Sequence, residues 1–365
     1  MQTSQPTTRA EVVGSLLQPA VVLDARAEAA FGRLDEAELA AIEDEAVLAA
    51  IALQESVGLD VITDGEMRRP TWADVSRHLE GFEILPGERS YPANARLANP
   101  SEASTVVRKI TPKSEHPVGE EFPFLAAHAT ARTKYTMAAP SYSRRYWSDQ
   151  RSTSAYERVE DFLQDVRNYQ REVASRLVAE GCDYLQLDAP NYGSLTDPET
   201  RAFHEARGHD IDAQVAFDAA LDSSVFTGLE GVTRALHVCR GNMRGGAWHS
   251  SGGYGALADQ LFSNLDVDVV LLEYDTDRAG DFAPIGAVRE GTLVVLGLLT
   301  TKDGTLEDEA VVEARISEAT HFRPMGELAL STQCGFASAA NAPMSEAEQR
   351  AKLELVARVA HSLWS

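Results

Sequence analysis

The chain is short of cysteine, of basic charge and of long apolar runs, and each shortage removes a class of protein. Only Cys182, Cys239 and Cys334 occur in 365 residues. An odd count this small builds no disulfide scaffold, so a reducing compartment is expected, in which a cysteine that matters is a thiolate. Lys and Arg number 33 against 56 Asp and Glu, a formal charge of −23. A surface of that sign repels phosphate backbones and anionic headgroups, so neither nucleic acid nor membrane is an expected partner. No window reaches the roughly 18 uninterrupted apolar residues of a membrane span. The opening MQTSQPTTRAE holds no apolar stretch of signal-peptide length. A soluble, cytoplasmic protein is expected.

Also missing is an early GxGxxG-type turn opening a helix, which argues against a doubly wound sheet. What is present is alternation. Runs of β-branched and apolar residues predict eight strands: EVVGS (11–15), LDVITDGE (59–66), TKYTMAAP (133–140), YLQLDAP (184–190), ALHVCRGN (235–242), VVLLEYD (269–275), TLVVLGLLTT (292–301) and LALSTQCGF (328–336). Between them lie stretches such as DEAELAAIEDEAVLAAIALQESVG and AYERVEDFLQDVRNYQREVASRLVAEGC. Their apolar residues recur every three or four positions and a Gly closes the end, as in crossover helices. The pattern predicts an α/β fold, a single (β/α)8 TIM barrel spanning 1–365. The rhythm breaks at about 78–128, where ILPGERSYPANARLANPSEAS and TPKSEHPVGEEFP are dense in Pro, Gly and charge and VVRKIT alone is strand-like. This predicts an inserted excursion after the second strand, at the C-terminal face of the barrel.

His237-Val238-Cys239 falls at the end of the fifth predicted strand. Residues two apart on a strand share a side, so the imidazole and the thiol converge as two ligands of one zinc ion would. An isolated HxC is also met as a buried His and a buried Cys alternating with Val. Cys334 closes the eighth predicted strand and Glu273 the sixth. Strand C-termini of a barrel form one rim, so these four donors can meet, and two thiolates select zinc over magnesium or calcium. Glu273 alternatively caps a helix or forms a salt bridge. Cys182 follows a helix-ending Gly and belongs to the core at the opposite end.

Ser15, Glu66 and Asp188 close the first, second and fourth predicted strands. Each has an ordinary alternative: Ser15 caps a helix, Glu66 pairs with Arg68 or Arg69, and Asp188 holds the loop beginning at Pro190. Together they would supply a hydroxyl and two carboxylates suited to gripping a cationic amine.

In order along the chain, VGS, DGE, QLDxP, HVC, the Glu of LLEYD and the Cys of QCGF resemble the catalytic C-terminal half of cobalamin-independent methionine synthase, from about Val12 to the C-terminal helix. The resemblance implies zinc held by His237, Cys239, Glu273 and Cys334, and homocysteine contacts at Val13, Ser15, Glu66 and Asp188. It implies alkyl transfer to a zinc-bound thiol, the metal holding a thiolate at neutral pH, with Glu66 and Asp188 beside the reaction. The chain departs from the pattern in three ways. It leaves no room for the second, N-terminal barrel that helps bind a polyglutamyl folate, so that donor is not expected. DEPA reads DAPN, with Ala189 in place of an acid, and the histidine near the end of strand seven is absent from LGLLTTKDG. A long segment, RGNMRGGAWHSSGGYG, is shared with short stand-alone homologues and brings Arg240, Asn242, Arg244, Trp248 and His249 toward the site. His249 is either an acid or substrate contact there or an exposed loop histidine, and such glycine-rich stretches can close over a substrate.

The sequence thus predicts a zinc-dependent methyltransferase acting on a small thiol, homocysteine, to give methionine, with an unidentified methyl donor and a place in methionine biosynthesis. The rivals are an epoxide-opening thiol transferase using the same metal and a non-catalytic zinc or amino-acid-thiol binding protein. A uroporphyrinogen decarboxylase-type barrel would want basic residues where this rim is acidic. A homo-oligomer is allowed.

Overall fold

The computed structural model describes residues 8–72, 75–86, 102–113, 118–338 and 340–364. The opening seven residues and parts of the predicted excursion, 87–101 and 114–117, lie outside the described residues. Nine extended segments form one sheet in which every pair is parallel. Its two end segments, Arg132–Thr133 and Tyr135–Ala138, are halves of one strand interrupted at Lys134, whose N–H still donates to Ile62 O at 3.0 Å. The sheet therefore closes on itself as a barrel of eight strands. In chain order they are Ala10–Glu11, Val61–Ile62, the split third strand, Tyr184–Asp188, Thr233–Val238, Val269–Glu273, Leu293–Leu299 and Leu328–Thr332. All eight predicted strands are found, most of them shorter than their apolar runs. The fifth ends at Val238 because the next free backbone N–H, that of Arg240, turns to the Glu273 carboxylate at 2.6 Å instead of to a neighbouring strand.

Side-chain alternation sorts each strand between two environments. Leu185, Leu187, Leu236, Val238, Val270, Leu272, Val294 and Leu296 face the surrounding helices in the main core. Tyr184, Ala235, Val269, Leu271, Val295 and Ala329 pack together inside the barrel with Val13 and Val61. Helix Glu36–Val57 opens on a capping box between Asp35 and Glu38 and ends at Gly58, whose φ of 85° favours glycine. It buries Ala46, Val47, Ala50, Ile51 and Gln54 at helical spacing. Helix Val159–Ala179 likewise buries Phe162, Leu163, Val166, Val173 and Leu177. Among the described residues no helix is long and apolar enough to cross a membrane.

The excursion contains an antiparallel pair, Leu79–Pro86 with Glu102–Pro112, and a helix, Val118–His128. VVRKIT lies inside the second of these strands. The first went unpredicted because its apolar residues are interrupted by Glu80, Gly81 and Glu83. Phe82 and Val106 join Tyr146, Tyr156 and Phe162 in a satellite core, so the hairpin rests on the segment leaving the third barrel strand and on helix Val159–Ala179.

Candidate active site

His237 and Cys239 share the inward side with Ala235 because Leu236 and Val238 take the outer core. Cys334 reaches them from across the rim, in a turn fixed by Gln333 N–H on Leu299 O at 2.8 Å and by Thr332 Oγ1 donating to Cys334 O at 2.9 Å. One donor atom from each of the three lies within 4.8 Å of the others, and all three residues are buried. The two sulfurs are 3.9 Å apart; a tetrahedral ion with Zn–S bonds of about 2.3 Å holds its sulfurs about 3.8 Å apart. Neither ring nitrogen of His237 makes a hydrogen bond of normal geometry, a cost for a buried imidazole that metal ligation removes. The residues present therefore fit a metal ion. The Cys239 and Cys334 sulfurs share a hydrogen bond, which draws Cys334 well below the ordinary thiol range, and the adjacent His237 adds to it. The same bond, with burial, raises Cys239.

Glu273 sits beside this cluster but outside its mutual 4.8 Å range. Its Oε2 accepts from Arg240 N–H at 2.6 Å; its Oε1 meets Lys302 Nζ at 3.3 Å and an Arg278 guanidinium nitrogen. Burial would raise this carboxyl, but Lys302, Arg240 and Arg278 outweigh it and hold it at about 2, so the group is ionised. Lys302 also pairs with the buried Asp275 at 2.7 Å. It stands in LGLLTTKDG, the run from which the expected histidine is missing.

Glu66 and Asp188 are both buried at the rim. Glu66 is the only non-glycine residue with positive φ among the described residues, at 56°. Backbone in that region costs roughly 1–3 kcal/mol and gathers at functional sites. The Glu66 carboxylate accepts from Thr136 Oγ1 at 2.7 Å and lies 3.7 Å from Arg69. It presses so closely on the first strand that a Cβ at Gly14 would come within 2.7 Å of Oε1. Burial, opposed by Arg69 and aided by the charge of Asp188, raises Glu66 to about 7. Asp188 pairs in register with His237 and accepts from Gln186 Nε2 at 2.8 Å. Burial raises it to about 6, against the pull of His237. The alternative partners divide: Arg69 reaches Glu66, while Arg68 goes to Asp44 and to Glu120 O.

Val13 O accepts from Gln186 Nε2 at 2.8 Å. Ser15 accepts from Phe336 N–H through its carbonyl at 2.8 Å and from Ala337 N–H through Oγ at 3.2 Å, tying the first strand to the loop after Cys334. Ala189, where the resemblance expects an acid, is fully buried in the outer core. Cys182 is core, its thiol donating to Tyr184 O at 3.3 Å and raised by burial to about 12.

The glycine-rich segment divides as well. Arg240 is a buried clamp, stacked 4.2 Å over Tyr254 and donating to the carbonyls of Gly252, Glu273 and Ala279. Asn242 is held by Gln333 and Thr301, and Arg244 is exposed. Trp248 lies under the Arg278 guanidinium at 4.5 Å. Burial and the charge of Arg145 lower His249 to about 4. Its ring is therefore neutral at pH 7. Sequence reasoning missed Lys134, Thr136 and Gln186, whose signal is a polar residue at the inward step of an apolar strand.

The chain belongs to the family described as the cobalamin-independent synthase catalytic domain, whose model matches residues 6–362. Among its relatives, the uncharacterized proteins YxjH and YxjG of Bacillus subtilis are 33% and 32% identical, covering 98% and 100% of this chain and 94% and 97% of their own lengths. The proposed vitamin-B12 independent methionine synthase from Listeria monocytogenes superposes with a TM-score of 0.76 at 29% identity, covering 99% of this chain and all of that one. A B12-independent methionine synthase from Shewanella sp. W3-18-1, in complex with selenomethionine, shares the fold at 20% identity with a TM-score of 0.71, covering 98% of each chain.

Proposed function

We propose that this protein is a zinc-dependent methyltransferase whose acceptor is a small amino-acid thiol, homocysteine, converted to methionine. The observation that carries the reading is the proximity of two unlike sites on one rim. A buried His237–Cys239–Cys334 cluster with sulfurs 3.9 Å apart stands beside two buried carboxylates, Asp188 pairing directly with His237 across adjacent strands. Family membership and the likeness to the Listeria protein support it.

His237, Cys239 and Cys334 would hold zinc. Glu273 would complete the set, since its Oε2 accepts one hydrogen bond and keeps a lone pair. When bound, zinc supplies a Lewis acid that keeps a substrate thiol as thiolate at neutral pH. The chain's own residues do the rest. Glu66 and Asp188 bind the substrate ammonium, Val13 O offers a third acceptor, and Ser15 orders the loop that carries Cys334. Lys302 and Arg278 keep Glu273 ionised. His249, neutral, lines the approach from the glycine-rich segment and is a contact for substrate.

The test is metal analysis followed by a donor screen with homocysteine fixed, covering simple methylated folates, S-methyl compounds and methylcobalamin, with methionine detected by mass. Stoichiometric zinc and methionine from one donor are expected. Zinc with homocysteine binding but no product from any donor would indicate a binding protein, and turnover of another thiol in preference would move the acceptor.

A further inference from the structure

We infer that Lys134 and Gln186 form a positioning pair that presets the amine-binding face of the site, an inference that rests on the amino-acid-thiol reading given above. Lys134 belongs to the third barrel strand, Gln186 to the fourth and Glu11 to the first, and the first and fourth are not neighbours in the sheet. Their side chains meet only through the barrel interior. Lys134 Nζ, essentially inaccessible to solvent, lies 2.6 Å from Glu11 Oε2 and 2.8 Å from Gln186 Oε1. Glu11 is held in turn by Tyr184 OH at 3.1 Å.

The orientation of the Gln186 amide follows from donor and acceptor capacity alone. An ammonium only donates, so the carboxamide must turn its oxygen to Lys134. Its NH2 group then faces the other way, where two acceptors wait: Val13 O and Asp188 Oδ1, each at 2.8 Å. Both hydrogens of Nε2 are used. A flipped amide would set NH2 against the ammonium and its oxygen against a carbonyl and a carboxylate, so the lysine excludes the flip. The glutamine thereby carries the fixed position of Lys134 to Val13 and Asp188, two of the groups assigned to the substrate amine. Asp188 Oδ2 makes no other hydrogen bond among the described residues and is left for the ligand. The Lys134–Glu11 ion pair lies one layer below the chemistry and anchors the lysine that orients Gln186. A buried ion pair adds little net stability over apolar replacements, which leaves the fixing of geometry as a reason to keep it.

The experiment compares two thiols that differ only in the amine, homocysteine and 4-mercaptobutanoate, titrated calorimetrically against the zinc-loaded protein. Gln186→Glu keeps the shape and satisfies Lys134, but turns a carboxylate oxygen toward Asp188 and Val13 O. Glu11→Gln with Lys134→Met removes the buried pair together, leaving no lone charge, and frees the amide to flip. In each variant homocysteine binding is expected to weaken roughly 10- to 100-fold, the loss of a hydrogen bond to a charged group. Binding of 4-mercaptobutanoate is expected to change less than about threefold, zinc content being unchanged. If both thiols weaken alike in either folded variant, the residues are merely structural and the inference is overturned. If the unaltered protein itself does not distinguish the two thiols, the amine-site reading fails and the inference falls with it.

Discussion

The two walls of the barrel interior are built on opposite principles. Beneath His237, Cys239 and Cys334 the wall from the fifth to the eighth strands is apolar, made of Ala235, Val269, Leu271, Val295 and Ala329. Beneath Asp188 the wall from the first, third and fourth strands is a hydrogen-bonded column of Glu11, Lys134, Tyr184 and Gln186. The His237–Cys239–Cys334 cluster needs only convergence, because soft donors on a dry floor would be satisfied by an ion bound between them. The carboxylates carry charge in the same low-dielectric interior and must be oriented by a network in which every donor has an acceptor. One wall would be completed by a bound ion, and the other is completed by the protein.

That contrast is broken most severely at the ion pair. Lys134→Met alone leaves Glu11 buried and unpaired, and is expected to lower unfolding stability by about 3–5 kcal/mol. On the apolar wall, Val295→Ala is expected to cost about 2 kcal/mol. Denaturant unfolding of the two variants compares the walls directly. Next come the ligands: Cys239→Ser or Cys334→Ser should weaken zinc binding by more than about 100-fold, beyond the effect of an outer partner, read by chelator competition. Neither should abolish folding if the apolar floor stands by itself.

The pH dependence separates the walls again. Glu66 is raised to about 7 and Asp188 to about 6. The folded chain therefore holds their protons more tightly than the unfolded one does. Their stabilising contribution is fully present below the ordinary carboxylate range and is lost as pH rises through these values. Ammonium binding runs the other way, since it needs the charged forms. Homocysteine affinity should climb by up to about tenfold per pH unit toward pH 7 and then level, and Glu66→Gln should remove most of the climb. The smallest effect is expected from Ser338→Ala. Its Oγ lies 3.1 Å from Cys334 Sγ, and losing this outer contact should weaken zinc binding about tenfold at most, with no change in homocysteine's pH profile.

How much of this was legible in the sequence follows the same division. Strand periodicity and the helix stops gave the barrel, and the two-residue spacing of His237 and Cys239 gave half the metal cluster, because alternation is a local property. Cys334 joined through the rule that strand C-termini share a rim. The column was not legible. Lys134 in TKYTM and Gln186 in YLQLD are single polar residues in apolar runs, and nothing local says that the first and fourth strands meet across the interior. Glu66 was named, but its left-handed backbone and its hold by Thr136 depend on the closure of the barrel around Gly14. Glu273 was expected as a ligand, and its ion pairs with Lys302 and Arg278 come from turns after the seventh and sixth strands that sequence spacing does not connect.

The central claim is that a substrate thiol joins a metal held by His237 and two cysteines. Zinc X-ray absorption on the protein with and without homocysteine tests it most directly. The account predicts two sulfur ligands in the free protein and three once homocysteine is bound. A sulfur count that stays at two, with homocysteine shown to be bound, would contradict it.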